Sequence, residues 1–300
     1  PAPRAERRQC SFSRLAWFDR KGNEVGKVGE PDIYSNLLLS ANGQSLAVDK
    51  TDVGSQNTDV WMFDLQRGST KRLTFDPGLD ALPVWSPDGS RVLFTSSRNN
   101  VFDLFLKNAD GSQEEKLICA SQVDKYPNAW SRDGKYILYT EGSDMKYLTF
   151  PEMKSTLFLK ASSTFKNAQF SPDGRWVAYA SNETGKWEIY VTSFPEARGK
   201  WQVSTGGGEQ PRWRGDGKEL FFLSPDMKIM AVQVKAGVSF DAGAPAPLFQ
   251  ANPREIFATS EQVIYDVDQS GQRFLINTQV RSTETHPISV ILNWDADLKR

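Results

Sequence analysis

The sequence predicts an all-β fold arranged as a six-bladed β-propeller, and three observations carry that reading. The first is a repeat. Glycines at turn positions, Gly43, Gly89, Gly134, Gly174, Gly217 and Gly271, follow one another at intervals of 46, 45, 40, 43 and 54 residues, a period that belongs to propeller blades. The second is the register around those glycines. Four residues before each stand Leu39, Trp85, Trp130, Phe170, Trp213 and Val267, and three after stand Leu46, Val92, Ile137, Val177, Leu220 and Phe274. Positions four and five after each glycine are apolar too, ending in Val48, Phe94, Tyr139, Tyr179, Phe222 and Ile276. A strand that is apolar at consecutive residues must be covered on both faces, and radially stacked sheets supply that cover. The third is turn chemistry. Asp88-Gly89, Asp133-Gly134, Asp173-Gly174 and Asp216-Gly217 each place a carboxylate that can bond its own backbone ahead of a residue tolerating positive φ, as a tight hairpin requires. Asn42 and Ser270 stand in for the Asp in the first and last copies. These aspartates are explained by the turn and are not needed as catalytic acids.

Taken in order, residues 1–13 read as a disordered or linker tail, Pro- and Arg-rich, and residues 14–300 as one propeller domain. Residues 15–22 (LAWFDRKG) resemble 60–68 (VWMFDLQRG), the outer half of blade one, so the N-terminus offers an outer half whose inner half lies elsewhere. The sixth hairpin, 262–278, can supply it, and pairing the two ends closes the ring and removes exposed sheet edges. Residues 288–294 (ISVILNW) also read as an outer strand, which leaves seven blades as the alternative. The outer pairs of blades one to four fall at 59–74, 102–118, 145–159 and 187–204. Blade five adds 228–234 and 247–250, and 235–261 reads as the longest irregular stretch. No amphipathic helix is evident.

Composition bounds the function. The chain is 39% hydrophobic and 12% aromatic, ample for a core, and nothing approaches the roughly 18 uninterrupted apolar residues of a membrane span. With 36 basic against 37 acidic residues, the net charge of −1 excludes the basic footprint of a nucleic-acid binder. A monomeric, soluble propeller is expected. Cys10 and Cys119 are the only thiols, too few for a disulfide framework. The chain starts with Pro and carries no signal-peptide pattern, so it reads as processed or excised from something larger.

The turns SPDG at 86–89 and 171–174 and SRDG at 131–134, each preceded by Trp or Phe and followed by an apolar strand, resemble the WD40-like (PD40) repeat of TolB-type propellers. SANG and DQSG depart from it in copies one and six. LAWFDRKG and the GEP at 29–31 are further similar to propeller regions attached to bacterial serine/threonine kinases. That resemblance implies a periplasmic or extracellular sensor or binding module with catalysis elsewhere; no HRD, DFG or glycine-rich phosphate loop is present.

Candidate chemistry is limited by the single histidine, His286. Multi-histidine metal sites are excluded by counting, no GxSxG elbow exists for a Ser-His-Asp hydrolase, and His286 reads as a loop residue. The glycine triplet 206–208 has no following helix to present amides to phosphate and reads as a flexible loop. Trp17, Trp61, Trp187, Trp201 and Trp294 fall on strands and are expected between blades.

The segments entering the inner strands, at one mouth of the central channel, carry Asp32, Asp80, Asp124, Glu209 and Glu261, with Lys166 interrupting the series in blade four. Converging, they would focus negative potential and suit a cation such as Ca²⁺ or a basic peptide segment. Arg98 and Asn182, in loops on the same face, are candidate rim contacts. The expectation is a non-catalytic module engaging a protein, peptide or small ligand at that mouth, without a required cofactor. The alternatives are a propeller enzyme using carboxylates or a metal for hydrolysis or elimination, and a purely architectural domain.

Overall fold

A computed structural model describes residues 12–253 and 261–280. Six antiparallel sheets form the six blades of a propeller, and no helix occurs among the described residues. Blade 1 runs from its inner strand Tyr34–Leu39 through Ser45–Thr51 and Thr58–Asp64 to Ser69–Arg72 at the rim. Blades 2, 3 and 4 repeat that order from the inner strands Asp80–Trp85, Lys125–Trp130 and Phe165–Phe170. Blade 5 starts at Glu209–Trp213 and its third strand, Lys228–Ala236, is long enough to pair with two successors, Phe240–Ala242 and Ala246–Gln250. The stretch expected to be irregular after residue 235 is therefore partly a second outer hairpin arm.

Blade 6 is the clasp. Its inner strands Tyr265–Val267 and Arg273–Gln279 come from one end of the chain, and its outer strands Ser13–Asp19 and Glu24–Asp32 from the other. Seven residue pairs tie Ser13–Asp19 to Arg273–Gln279. Leu15, Ala16, Leu275 and Ile276 are buried in the seam, so the two ends share one core. Residues 288–294 and His286 lie outside the described residues.

The register read from the sequence is the packing. The residues three, four and five places after the turn glycines are at most 2% exposed in all six blades. Both faces of each second strand are covered, one by its own blade's neighbour on each side, which is why alternation is absent there. The turns repeat as well. All six glycines take φ between 68° and 78°; in blade 2 the Asp88 carboxylate accepts from the Ser86 hydroxyl at 2.5 Å and the Ser90 amide at 3.0 Å, and the Ser86 oxygen accepts from the Arg91 amide. Those local bonds hold Asp88 down at about 2, far from the range of a catalytic acid.

The inner strands carry a second repeated device, a β-bulge in each of blades 1 to 5. A bulge leaves a backbone amide outside the ladder; at Leu82 and Ala168 a neighbouring blade accepts it, and the amides of Ile264 and Leu39, outside the bulges, are accepted across blades in the same way. Asp49 takes the amide of Leu82, Asn128 that of Ala168, Gln210 that of Ile264 and Asp266 that of Leu39, at 2.8–3.1 Å. These side chains latch blade to blade around the axis. They are polar because an unpaired buried amide would cost about 1–3 kcal/mol.

Candidate site along the axial channel

The bulged inner strands surround a channel with two mouths. On the face of the hairpin turns it opens into a cavity of about 190 Å³, lined by Trp85, Trp130, Phe170 and Trp213 with Ser86, Ser171 and Arg132. On the opposite face, where the inner strands begin, the opening is about 30 Å³ and includes Asn36, Leu82, Asn167, Glu261 and Val263. Leu38, Val84, Asn128, Gln169 and Arg212 line both and form the neck between them.

The structure gathers part of the acidic series at the strand-start mouth. Lys166, 3% exposed, reaches Glu209 at 3.1 Å and lies 4.0 Å above the Trp187 ring, and Glu261 lies close enough for the lysine to lower it. Burial outweighs that attraction and pushes Glu261 up to about 7. Across the opening, Tyr126 is raised by burial first and then by the charges of both Asp124 and Glu261. Asp124, exposed, also accepts the Phe102 amide at 3.0 Å. Thus pairwise contacts and charges connect Asp124, Lys166, Glu209 and Glu261, from blades 3 to 6, beside the mouth that Glu261 lines.

The remaining candidates are engaged elsewhere. Asp80 is fully buried; Arg98 binds it at 3.2 Å and binds Glu115 at 2.7 Å while stacking 4.1 Å over Phe105. Desolvation raises Asp80, and its pair with Arg98 braces the strands of blade 2 instead of facing the channel. Asp32 is bound by Lys50 at 2.6 Å, and Asn182 accepts the amide of Thr164, in the loop entering the inner strand of its own blade, at 2.9 Å. Register placed these residues at the right height along the strands but could not say which cation each would meet. Among the described residues no three His, Cys, Asp or Glu side chains cluster as metal ligands, so the ring of carboxylates that a Ca²⁺ ion would need is not formed by them. Two of the three glycines in the triplet, Gly207 and Gly208, are buried and packed. The Gly207 amide donates to the buried Glu188 carboxylate at 3.1 Å, and a Cβ on Gly208 would stand 2.8 Å from Phe222. The tryptophans pack as expected where described, with Trp201 edge-on to Trp176 at 5.3 Å and Lys50 4.3 Å above Trp61.

The neck is the part that the sequence reading missed. The residue five places before each turn glycine is Leu38, Val84 and Ala129 in blades 1 to 3 but Gln169, Arg212 and Asp266 in blades 4 to 6. All six line the turn-face cavity, giving the channel one apolar and one polar wall. Arg212 is 3% exposed; its Nη1 donates to the Pro211 carbonyl at 2.9 Å and its Nε stands 3.3 Å from Asp266. Charges at a position that is apolar in blades 1 to 3 were the available signal.

Fold and channel together define a closed propeller with a polar axial passage, a class that hosts both binding proteins and enzymes. Residues 35–168 match the family model described as TolB beta propeller domain (PD40), and the chain as a whole has the TolB-like fold. A Tol-Pal system protein TolB from Wolinella succinogenes is 28% identical over 151 residues, 47% of this chain and 35% of that relative. The chain therefore matches about a third of that relative's length. Among solved structures, a TolB assignment from Agrobacterium tumefaciens superposes with a TM-score of 0.71 at 17% identity, covering 90% of this chain and 99% of the other. TolB from Acinetobacter baumannii gives 0.59 at 15% identity, covering 82% and 63%. At those identities the likeness concerns the fold.

Proposed function

We propose that the chain is a non-catalytic binding or sensor module of the bacterial cell envelope, working in the periplasm, whose partner protein seats over the strand-start mouth. The observation that carries this reading is the gathering of Asp124, Lys166, Glu209 and Glu261 from four blades at one opening. Three carboxylates against one ammonium favour a partner segment of net positive charge. The buried carboxylates nearest the axis argue in the same direction: Asp49 and Asp266 are occupied as acceptors of backbone amides from adjacent blades, a structural task, so neither is free to transfer a proton to a substrate. The naming of relatives for the Tol-Pal system supports a protein partner and an envelope location.

The test uses the immobilised chain and an envelope extract of the source bacterium, comparing the native protein with Asp124→Lys/Glu209→Gln, whose folding is checked by circular dichroism. A protein retained by the native chain is then titrated against both by calorimetry. The reading expects affinity to fall at least tenfold in the variant and to weaken with salt. Equal affinity for both proteins would remove the partner from this mouth.

A further inference from the structure

On the opposite face, two arginines mark a path into the neck, and the deeper one keeps a donor that no contact in the fold uses. Arg132 sits in the hairpin turn of blade 3, and its side chain crosses the opening. Its Nη1 donates to the Gly215 carbonyl of blade 5 at 3.3 Å and its Nη2 to the Gln269 side-chain oxygen of blade 6 at 3.2 Å. Blades 3 and 6 stand opposite each other in a ring of six, so this exposed side chain spans the mouth. Beneath it lies Arg212. Its Nη2 is buried and makes no hydrogen bond, although a guanidinium normally uses its planar fork of donors.

The anions nearest to Arg212 do not answer that donor. Asp266 approaches Nε, and its two oxygens accept the amides of Leu39 and Val267, both at 2.9 Å. Asp268, at the same mouth, is held by Arg273 at 3.2 Å and by Ser270 at 2.8 Å. What remains is an unanswered cationic donor in the wall of a cavity whose other side is Leu38, Val84 and Ala129.

We propose that the neck is a binding site for a carboxylate attached to a short aliphatic group. The Arg212 guanidinium turns to bring Nη2 to the cavity, where the carboxylate accepts from it; the aliphatic part lies on the Leu38–Val84–Ala129 wall, and Arg132 swings away from Gly215 and Gln269 to admit it. Size permits it: a cavity of about 190 Å³ is many times the ~10–15 Å³ that one water needs, room enough for a short aliphatic acid. A free short-chain acid and the C-terminal carboxylate of a peptide offer the same chemistry. This site lies on the face opposite the proposed partner surface and stands or falls independently of it.

Butyrate, with six heavy atoms, and its neutral analogue butyramide are titrated into the native chain. Binding is followed by tryptophan fluorescence, since Trp85, Trp130 and Trp213 line the opening. Butyrate is expected to bind saturably and at least tenfold more tightly than butyramide. Arg212→Met/Asp266→Asn, which removes both buried charges, is expected to lose that preference while keeping its circular dichroism. Should that variant not fold, Arg212→Lys, which keeps the charge and loses the fork, is expected to weaken butyrate at least threefold. A leucine-terminated hexapeptide, as free acid and as amide, separates the two sources: acid-selective peptide binding that depends on Arg212, with butyrate silent, assigns the carboxylate to a chain terminus. No saturable binding by either acid, no preference over the amides, or binding unchanged in the Arg212 variants would overturn the site and leave the neck to water.

Discussion

At one end of the channel the blades present six hairpins of a single design; at the other they present loops that differ in length, charge and packing. The backbone and capping bonds of each turn are local. In blade 2, Ser86, Asp88 and Ser90 satisfy one another, and nothing lies within 4 Å of where a Cβ on Gly89 would stand. The loops entering the inner strands depend on their surroundings, as Gly207 and Gly208 do on Glu188, Pro225 and Phe222. Local chemistry can be repeated without change from blade to blade, whereas tertiary chemistry must be solved separately at each site. Individuality, and with it recognition, gathers at the strand-start mouth and in the neck.

The largest expected effect tests the neck, where the two ends meet. Arg212→Met strands the buried Asp266 without its cation, and breaking such a pair costs ~3–5 kcal/mol. The double variant Arg212→Met/Asp266→Asn, which removes the charge left behind, is expected to recover a substantial part of that loss, because the amide oxygen can still accept from Leu39. Urea unfolding of the two variants and the Asp266→Asn single completes a double-mutant cycle. A single variant as stable as the native chain would mean that water reaches Asp266 and that the neck is wetter than its burial indicates.

A glycine pair sharpens the contrast between the two faces. Gly89 and Gly207 both have positive φ, 71° and 94°, so alanine at either meets backbone strain of ~1–2 kcal/mol. Only at Gly207 does the new Cβ also collide, 2.4 Å from the Pro225 ring. Overpacking there adds ~1–3 kcal/mol, and Gly207→Ala is expected to melt below Gly89→Ala by that margin. Equal melting temperatures would show the strand-start loop to be as compliant as the turn.

How much could be read beforehand follows the same division. The blades were legible because their constraints are periodic: apolar residues three to five places after each turn glycine sit in the core of every blade, and LAWFDRKG announced an outer half-blade that the C-terminal hairpin completes. In blade 5 the strand expected at 247–250 forms as Ala246–Gln250, whereas Phe240–Ala242, which pairs with the same third strand, was hidden between Gly237 and Gly243, residues that signal irregularity. Site residues were legible in height but not in company. Asp80 and Asp124 occupy related places, yet Arg98 lies eighteen residues beyond the first and draws it inward, while the second has no such cation and stays exposed. Arg212 was discoverable, since register alone places it beside Leu38 and Val84, where a guanidinium has no ordinary reason to stand.

The smallest effect concerns pH and asks whether the strand-start mouth is dry. Glu261 is raised from 4.5 to about 7 by burial, with Lys166 opposing the rise. Between those values the native chain binds more protons than the unfolded one, so stability falls as pH increases through that window and the loss is complete above it. Glu261→Gln carries no titrating proton and is expected to flatten the decline, gaining on the native chain steadily from pH 4.5 to pH 7. Asp49, also pushed up to about 7 by burial, titrates in both proteins, and the difference between their urea midpoints therefore isolates Glu261. Parallel profiles would place its carboxylate in water, and the partner surface would then be a solvated acidic rim that loses most of its attraction at 0.15 M salt. A gap in favour of Glu261→Gln that widens with pH would establish a buried, half-charged group whose ionisation a cationic partner could complete, making affinity rise with pH while the stability of the unbound chain falls.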